Sequence, residues 1–273
     1  MKKIIALAVA SAFAVPAFAA EVTISGDVEY VFSNQTGVTA AAVGDADFKI
    51  SATEQIGDMT VTAYLDDEQN DMDSALVVSG SFGTVSVGDD IGSAVGSFDE
   101  ITDKAEKGGD IDDVGNAYTE VATVKWALPL QVEGLDVHIS YGAAAAADDA
   151  TVLAYAAQYT TGGLTLFAGT DSANAGSAAT EEVGAYGVSY TYGPVYVAYE
   201  SVDNLDGVVD DEMSAVAVSY TYGPGTITYE SGDTKDASAS TENEKTAISI
   251  NYAMGALNTY VATSTTTTAG TEA

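Results

Sequence analysis

The chain has 273 residues, of which 41 are Asp or Glu and only eight are Lys or Arg, so its formal net charge at pH 7 is −33. Every basic residue is a lysine, and cysteine is absent. This charge excludes nucleic acid as a partner, because phosphates must be neutralised by Lys and Arg. The lack of cysteine excludes a disulfide framework and a thiolate metal site.

The chain begins with an export signal. Met1, Lys2 and Lys3 are followed by an apolar run that ends in Ala17-Phe18-Ala19. A basic start, a short apolar run and small residues around a cleavage point are typical of a secretory signal peptide. We therefore expect residues 1–19 to be removed and residues 20–273 to form the exported protein.

Beyond this point apolar and polar residues alternate. In the first such segment Val22, Ile24 and Val28 share one parity, and Asp27 and Glu29 share the other. A period of two indicates a β-strand with one apolar and one polar face. The same alternation recurs, in chain order, around residues 48–52, 59–65, 135–141, 216–222 and 248–252.

The connections between these segments alternate in length. Short ones contain glycine, often with proline, which favours tight turns, and long ones are polar and acidic. Short turns at one end and long loops at the other are typical of an outer-membrane β-barrel. A soluble β-sandwich shares the alternation, but it has about seven to nine strands.

Fifteen strands can be counted in this way, the last of them over residues 256–263, and residues 264–273 are interpreted as a loop. Bacterial single-chain barrels have an even number of strands. We therefore interpret the fold as an all-β, antiparallel transmembrane β-barrel of sixteen strands whose last strand is missing, with a truncated C-terminus.

Two of the hairpins are nearly identical. Residues 188–201 read VSYTYGPVYVAYES and residues 218–231, thirty positions later, read VSYTYGPGTITYES. An even shift preserves parity, so both hairpins present the same faces to the same surroundings. Four tyrosines on the apolar face near the short turns fit an aromatic girdle at a membrane interface, although tyrosine also has high strand propensity. They are Tyr190, Tyr192, Tyr220 and Tyr222.

At two segments the chain resembles the Gram-negative general porins, especially the small acidic type from alphaproteobacteria. These are residues 21–27 (EVTISGD) and residues 78–89 (VSGSFGTVSVGD), and in layout the resemblance covers the whole exported chain. It implies a sixteen-stranded, water-filled barrel in the outer membrane, usually a homotrimer in contact with outer-membrane lipid and lipopolysaccharide. It also implies a third loop that folds into the lumen and narrows it.

Residues 89–116 occupy the position of that third loop and contain nine carboxylates but only two lysines. In the family such an acidic loop faces basic side chains, mostly arginine, which this chain lacks. Parity makes Lys49 and Lys125 the candidates for a basic pore wall, and Asp27, Glu29 and His138 candidates for the lumen lining. The acidic side of the constriction is expected to consist of Asp99, Glu100, Asp103, Glu106 and Asp110.

Carboxylates in a narrow pore concentrate cations and repel anions. The hypothesis is therefore passive, cation-preferring diffusion of small hydrophilic solutes and ions. Charge runs are also common on solvated loops outside any lumen. The sequence leaves open a non-channel structural or adhesive surface β-protein and a substrate-specific channel.

No catalytic centre is expected. His138 shares a strand face with Asp136 and Ser140, but alternation along one strand does not supply the hydrogen-bonded chain that a nucleophile requires. No cofactor is expected either. Acidic residues 66–73 lack the spacing of an EF-hand, so clustered carboxylates should bind Ca²⁺ or Mg²⁺ weakly at most.

Overall fold

The computed structural model describes residues 21–33, 41–68, 71–88, 91–98, 101–102, 104, 122–143, 151–174, 181–204, 212–236, 241–255 and 257–270. Within these ranges the chain forms fifteen β-strands and one short 3₁₀ helix, which confirms the predicted all-β class and strand count. None of the helical residues in the same ranges forms a helix able to cross a membrane. The described residues fall into two units, Met1–Phe82 and Gly83–Ala273.

The first unit contains four antiparallel strands that pair in chain order. They are β1 (Glu21–Ser33), β2 (Ala41–Ile56), β3 (Met59–Glu68) and β4 (Asp71–Gly80). The alternation predicted from sequence is present. The hydroxyls of Thr53 and Thr62 lie 3.0 Å apart on the polar face, whereas Ile56 and Met59 are exposed on the opposite, apolar face.

The second unit contains eleven strands, each paired antiparallel with the next one along the chain. They are β5 (Gly83–Gly88), β6 (Val124–Ala127), β7 (Leu135–Ala143), β8 (Thr151–Thr161), β9 (Leu164–Asn174), β10 (Glu181–Tyr192), β11 (Val195–Asn204), β12 (Glu212–Tyr222), β13 (Gly225–Asp236), β14 (Thr241–Met254) and β15 (Leu257–Gly270). The 3₁₀ helix, Val95–Ser97, lies between β5 and β6.

The sheet of the second unit has two distinct faces. On the face that we call the outer face, large apolar side chains are exposed; they include Tyr155, Leu166, Tyr186, Val218, Tyr229 and Ile250. On the opposite, inner face, the alternate residues are buried; they include Ala156, Phe167, Ala185, Ala217, Glu230 and Ser249. A continuous exposed apolar face of this kind indicates contact with another apolar phase.

The turns of the twin hairpins explain one repeated sequence feature. Gly193 and Gly223 have φ angles of 58° and 57°, a left-handed conformation that only glycine adopts readily. A Cβ at either position would meet no other atom within 4 Å. The requirement for glycine is therefore conformational and not steric. The four tyrosines that flank these turns are exposed on the outer face, as predicted.

The last strand is longer than the sequence predicted. Residues 264–270, which were interpreted as a loop, continue β15 and pair with β14 from Ser264 opposite Ala247 to Gly270 opposite Thr241. Threonine has high strand propensity, and the long β14 offers an unbroken row of backbone partners. These two effects outweigh the polar character of the threonine run.

Candidate functional site

A short stretch between β5 and β6 lies against the inner face of the second unit. We call its described residues, 91–98, 101–102 and 104, the inserted segment. Four of its side chains are buried in one apolar cluster with side chains from β8 to β12. The cluster consists of Ala94, Val95, Phe98 and Ile101 with Ala154, Ala156, Phe167, Val183, Ala185, Ala198, Val202 and Ala217. Removing this apolar surface from water holds the segment against the sheet.

Small residues on the inner face make room for this contact. A Cβ at Gly169 would lie 2.9 Å from Cγ2 of Val95, and one at Gly187 would lie 2.4 Å from Cδ1 of Ile101. Strand alternation in the sequence predicts a polar inner face here. It is rich in alanine and glycine because the inserted segment covers it.

The first part of the inserted segment is fixed from β6 and β7. The Lys125 Nζ donates hydrogen bonds to the Ile91 carbonyl oxygen at 2.8 Å and to the Ser97 Oγ at 3.1 Å. The Ser140 Oγ accepts a 2.8 Å hydrogen bond from the Ala94 backbone N–H. The ring of His138, the next inner-face residue of β7, lies with its centroid 4.5 Å from that of Phe98.

The last part is fixed from β11 and β13 by two carboxylates. The Thr102 hydroxyl donates to Oε2 of Glu200 at 3.0 Å, and the Lys104 backbone N–H donates to Oε1 of Glu230. Both glutamates are almost fully buried, at 3% and 0% exposure. The Tyr196 hydroxyl adds a 2.6 Å hydrogen bond to the Ile101 carbonyl oxygen, and the Lys104 Nζ lies 5.9 Å from the centroid of the same tyrosine ring.

Sequence reasoning missed Glu200 and Glu230, although a signal was present. Each glutamate occupies the same place, Tyr-Glu-Ser, in one of the twin hairpins. In both hairpins it has the parity of the inner face, where the neighbouring inner-face residues are mostly Ala, Ser or Thr. A charged residue that is repeated at one such position indicates a shared partner, and the structure identifies that partner as the inserted segment.

The predicted site residues have different placements. Lys125 and His138 lie on the inner face, beside the inserted segment. Lys49 Nζ, in the first unit, is ion-paired with Asp66 and lies 4.1 Å from the ring centroid of Tyr64.

The predicted acidic residues are less well described. The backbones of Asp27 and Glu29 pair with those of Asp47 and Asp45, but the side chains of Asp27 and Glu29 lie outside the described set. The five predicted constriction carboxylates, Asp99, Glu100, Asp103, Glu106 and Asp110, lie outside the described residues altogether.

An open cleft remains next to the inserted segment. Its volume is about 210 Å³, and it is lined by Gly96, Ser97, Phe98, Ile101 and Gln158 of β8. In the part of the chain that the structure describes, no group of three or more acidic or histidine side chains is arranged to hold a metal ion. The inserted segment covers part of the inner face, and this open cleft remains beside it.

The chain belongs to the Gram-negative porin family, whose family model matches residues 6–272. It is accordingly an outer-membrane protein. No curated protein sequence matches the chain significantly.

Solved structures show the same fold at low sequence identity. A porin refined at 1.8 Å resolution is 16% identical, with a TM-score of 0.70, over 89% of this chain and 94% of that one. A loop-deletion variant of the Vibrio cholerae outer-membrane protein OmpT is 13% identical, with a TM-score of 0.68, over 92% and 95% of the two chains. An anion-selective porin from Comamonas acidovorans is 14% identical, with a TM-score of 0.64, over 88% and 87%.

These comparisons give the two faces a physical meaning. In a transmembrane β-barrel, apolar side chains on the outside contact lipid, and the residues between them face the interior. The outer face defined above is thus the lipid-facing surface, and the inner face is the channel wall. The described residues of the inserted segment lie against this inner face.

Proposed function

We propose that this porin forms a water-filled channel through which small hydrophilic solutes and ions diffuse passively, with a preference for cations. The observation that carries the proposal is the attachment of the inserted segment to the channel wall. In sequence, acidic residues 99, 100 and 103 lie between residues that are attached to the wall. The attached residues are Phe98, Ile101, Thr102 and Lys104. In this proposal those carboxylates form the acidic side of the constriction, with Glu106 and Asp110 further along the same loop.

The charge balance supports the preference for cations. Residues 89–116 carry nine carboxylates against two lysines. Carboxylates at a constriction attract cations, and low-dielectric walls strengthen this attraction relative to bulk water. Since one structure with this fold is described as anion-selective, the fold itself does not determine the sign of the selectivity. The local charges of each chain do so.

We further propose that the protein is a homotrimer in contact with outer-membrane lipid and lipopolysaccharide, as the resemblance to general porins implies. The exposed apolar outer face supports the lipid contact. We propose no enzymatic role and no cofactor beyond weak, exchangeable binding of Ca²⁺ or Mg²⁺ by loop carboxylates.

One observation favours a second candidate, a surface β-protein without a channel. The apolar cluster between the inserted segment and β8–β12 fills part of the interior. If the remaining interior were filled as well, no solute could pass. The open cleft beside Ser97 and Gln158 favours the channel over this alternative.

Planar bilayers test both candidates. The refolded protein should give discrete conductance steps, and a KCl gradient should give a reversal potential of the sign expected for K⁺ over Cl⁻. The triple variant Asp99→Asn, Glu100→Gln, Asp103→Asn should reduce that potential. A control with Asp58→Asn and Glu133→Gln, both near short turns, should change it much less. Absence of any conductance would favour the surface protein, and anion preference would refute the proposed selectivity.

A further inference from the structure

We propose that Lys125 is a positioning residue that shapes the inserted segment, and that it is not a fixed charge presented to permeating ions. The general porin resemblance led us to expect Lys125 in a basic pore wall. Its contacts in the structure support a different role. The conductance consequences of this inference rest on the proposed channel function, whereas its structural core does not.

The placement of Lys125 follows from strand alternation. Its neighbours in β6, Val124 and Trp126, are exposed on the outer face, so the lysine side chain lies on the inner face. Lys125 is paired with Ser140 of β7, whose hydroxyl accepts the hydrogen bond from Ala94. Lys125 and Ser140 therefore both contact residues 91–97, which we call the turn of the inserted segment.

The ammonium group lies within the curve of that turn. Its two acceptors, the Ile91 carbonyl oxygen and the Ser97 Oγ, belong to residues that flank the turn. A Cβ at Gly92 would come within 3.7 Å of Nζ. Backbone from Ile91 to Ser97 thus bends around the lysine head group, which has three donors and no acceptor.

A chain of hydrogen bonds continues from the lysine into the turn. The Ser97 Oγ accepts from Lys125 and donates to the Ser93 carbonyl oxygen at 3.0 Å. The side chain of the same serine makes a separate bond, in which the Ser93 Oγ accepts from the Gly96 backbone N–H at 3.0 Å. Hydrogen bonds from a charged donor are about twice as strong as neutral ones, and linked bonds polarise one another. Loss of the lysine head group therefore removes two of the hydrogen bonds that hold the turn, in addition to weakening the bond from Ser97 to Ser93.

Lys49 provides the contrast. It is ion-paired with Asp66 in the first unit, so its charge is balanced by an opposite charge. Within the described residues, the hydrogen bonds of the Lys125 head group go to neutral oxygens of the inserted segment. The charge of Lys125 is therefore used to hold backbone and hydroxyl groups. Lys125 therefore affects permeation indirectly, by holding the turn that comes just before acidic residues 99 and 100 in the chain.

Hydrogen exchange measured by mass spectrometry on the refolded protein tests the structural core of this inference. Lys125→Met has a similar shape but no donor, so it should raise the exchange rate of the peptide covering residues 91–98 about tenfold, as expected for the loss of a charge-assisted hydrogen bond. Lys125→Arg keeps donors and charge and should restore most of the protection. Lys49→Met removes the same charge and should leave exchange in this peptide unchanged.

Single-channel recording separates the two roles. If Lys125 is a positioning residue, Lys125→Met should change conductance and open-channel noise more than it changes the reversal potential. Lys125→Arg should restore the wild-type conductance and noise. A fixed charge would give the opposite result, which is a shift in reversal potential like that of Lys49→Met with unaltered exchange at residues 91–98. That result would overturn the inference.

A second variant covers the case in which Lys125→Met does not refold. Ser97→Ala keeps the lysine but removes one of its acceptors and should raise exchange in the same peptide by a smaller factor. Unchanged exchange in Ser97→Ala would also contradict the inference. A wild-type protein without conductance would refute the proposed channel and would leave the exchange experiment fully interpretable.

Discussion

The hydroxyl of Thr102 donates a 3.0 Å hydrogen bond to the carboxylate of Glu200, although the two residues are 98 positions apart in the chain. Both are buried, so neither group has bulk water as a ready alternative partner. The bond joins the last part of the inserted segment to β11, whereas Lys125 holds the turn in its first part. The segment is thus fastened at both ends of its described length.

A double-mutant cycle should show this coupling. Thr102→Val and Glu200→Ala each remove one partner, and the double variant should be more stable than the sum of the two losses predicts. Hydrogen bonds to charged groups contribute about 1.5–3 kcal/mol, so we expect a coupling free energy of about 1–2 kcal/mol. Urea unfolding of the refolded protein measures it. Additive losses would mean that the bond does not stabilise the segment.

Replacing Gly187 with Ala should destabilise the protein by about 1–3 kcal/mol, as overpacking of a close-packed site does. The new Cβ would lie 2.3 Å from Cε1 of Phe167 and 2.4 Å from Cδ1 of Ile101, so the inserted segment or the aromatic ring must move. Gly96→Ala is the control, since its Cβ would come no closer than 3.4 Å to the Ser93 Oγ. The midpoint of urea unfolding should fall for Gly187→Ala only.

The lipid-facing surface should reject a charge that the channel wall accepts. Val218 and Thr221 lie in β12 on opposite faces, and both are exposed. Val218→Lys should cost up to about 2–4 kcal/mol in lipid bilayers, the range measured for lysine near the middle of the membrane. Thr221→Lys should cost much less and should instead shift ion selectivity. Equal losses would argue against the assignment of the two faces.

Trp126, the single tryptophan of the chain, is 40% exposed on the outer face. In bilayers its fluorescence should therefore be quenched by lipids with brominated acyl chains and only weakly by iodide in the aqueous phase. A soluble β-sandwich would show the reverse pattern. The measurement needs no mutation and reports on lipid contact directly.

Much of the fold was predictable because strand alternation and turn glycines are local signals. The parity of Val216, Val218 and Tyr220 and the turns at Gly193 and Gly223 could be read directly. The inner face was harder to predict, because Ala154, Ala185 and Ala217 are apolar for a non-local reason, which is contact with a segment more than fifty residues away. Lys125 was correctly placed on its face by parity, but parity does not reveal the hydrogen-bond partner of a side chain.

The twin hairpins have a further consequence for the spacing of the wall. Their equivalent glutamates lie on β11 and β13, two strands apart, which is about 9–10 Å in a sheet. Thr102 and Lys104, which bind them, are two positions apart, a span of at most about 7 Å of chain, and the reach of the glutamate side chains covers the difference. The distance between strands thus sets the spacing of the attachment points, and the repeated hairpin places one of them on every second strand. A third copy of the hairpin would add another attachment point two strands further along the sheet.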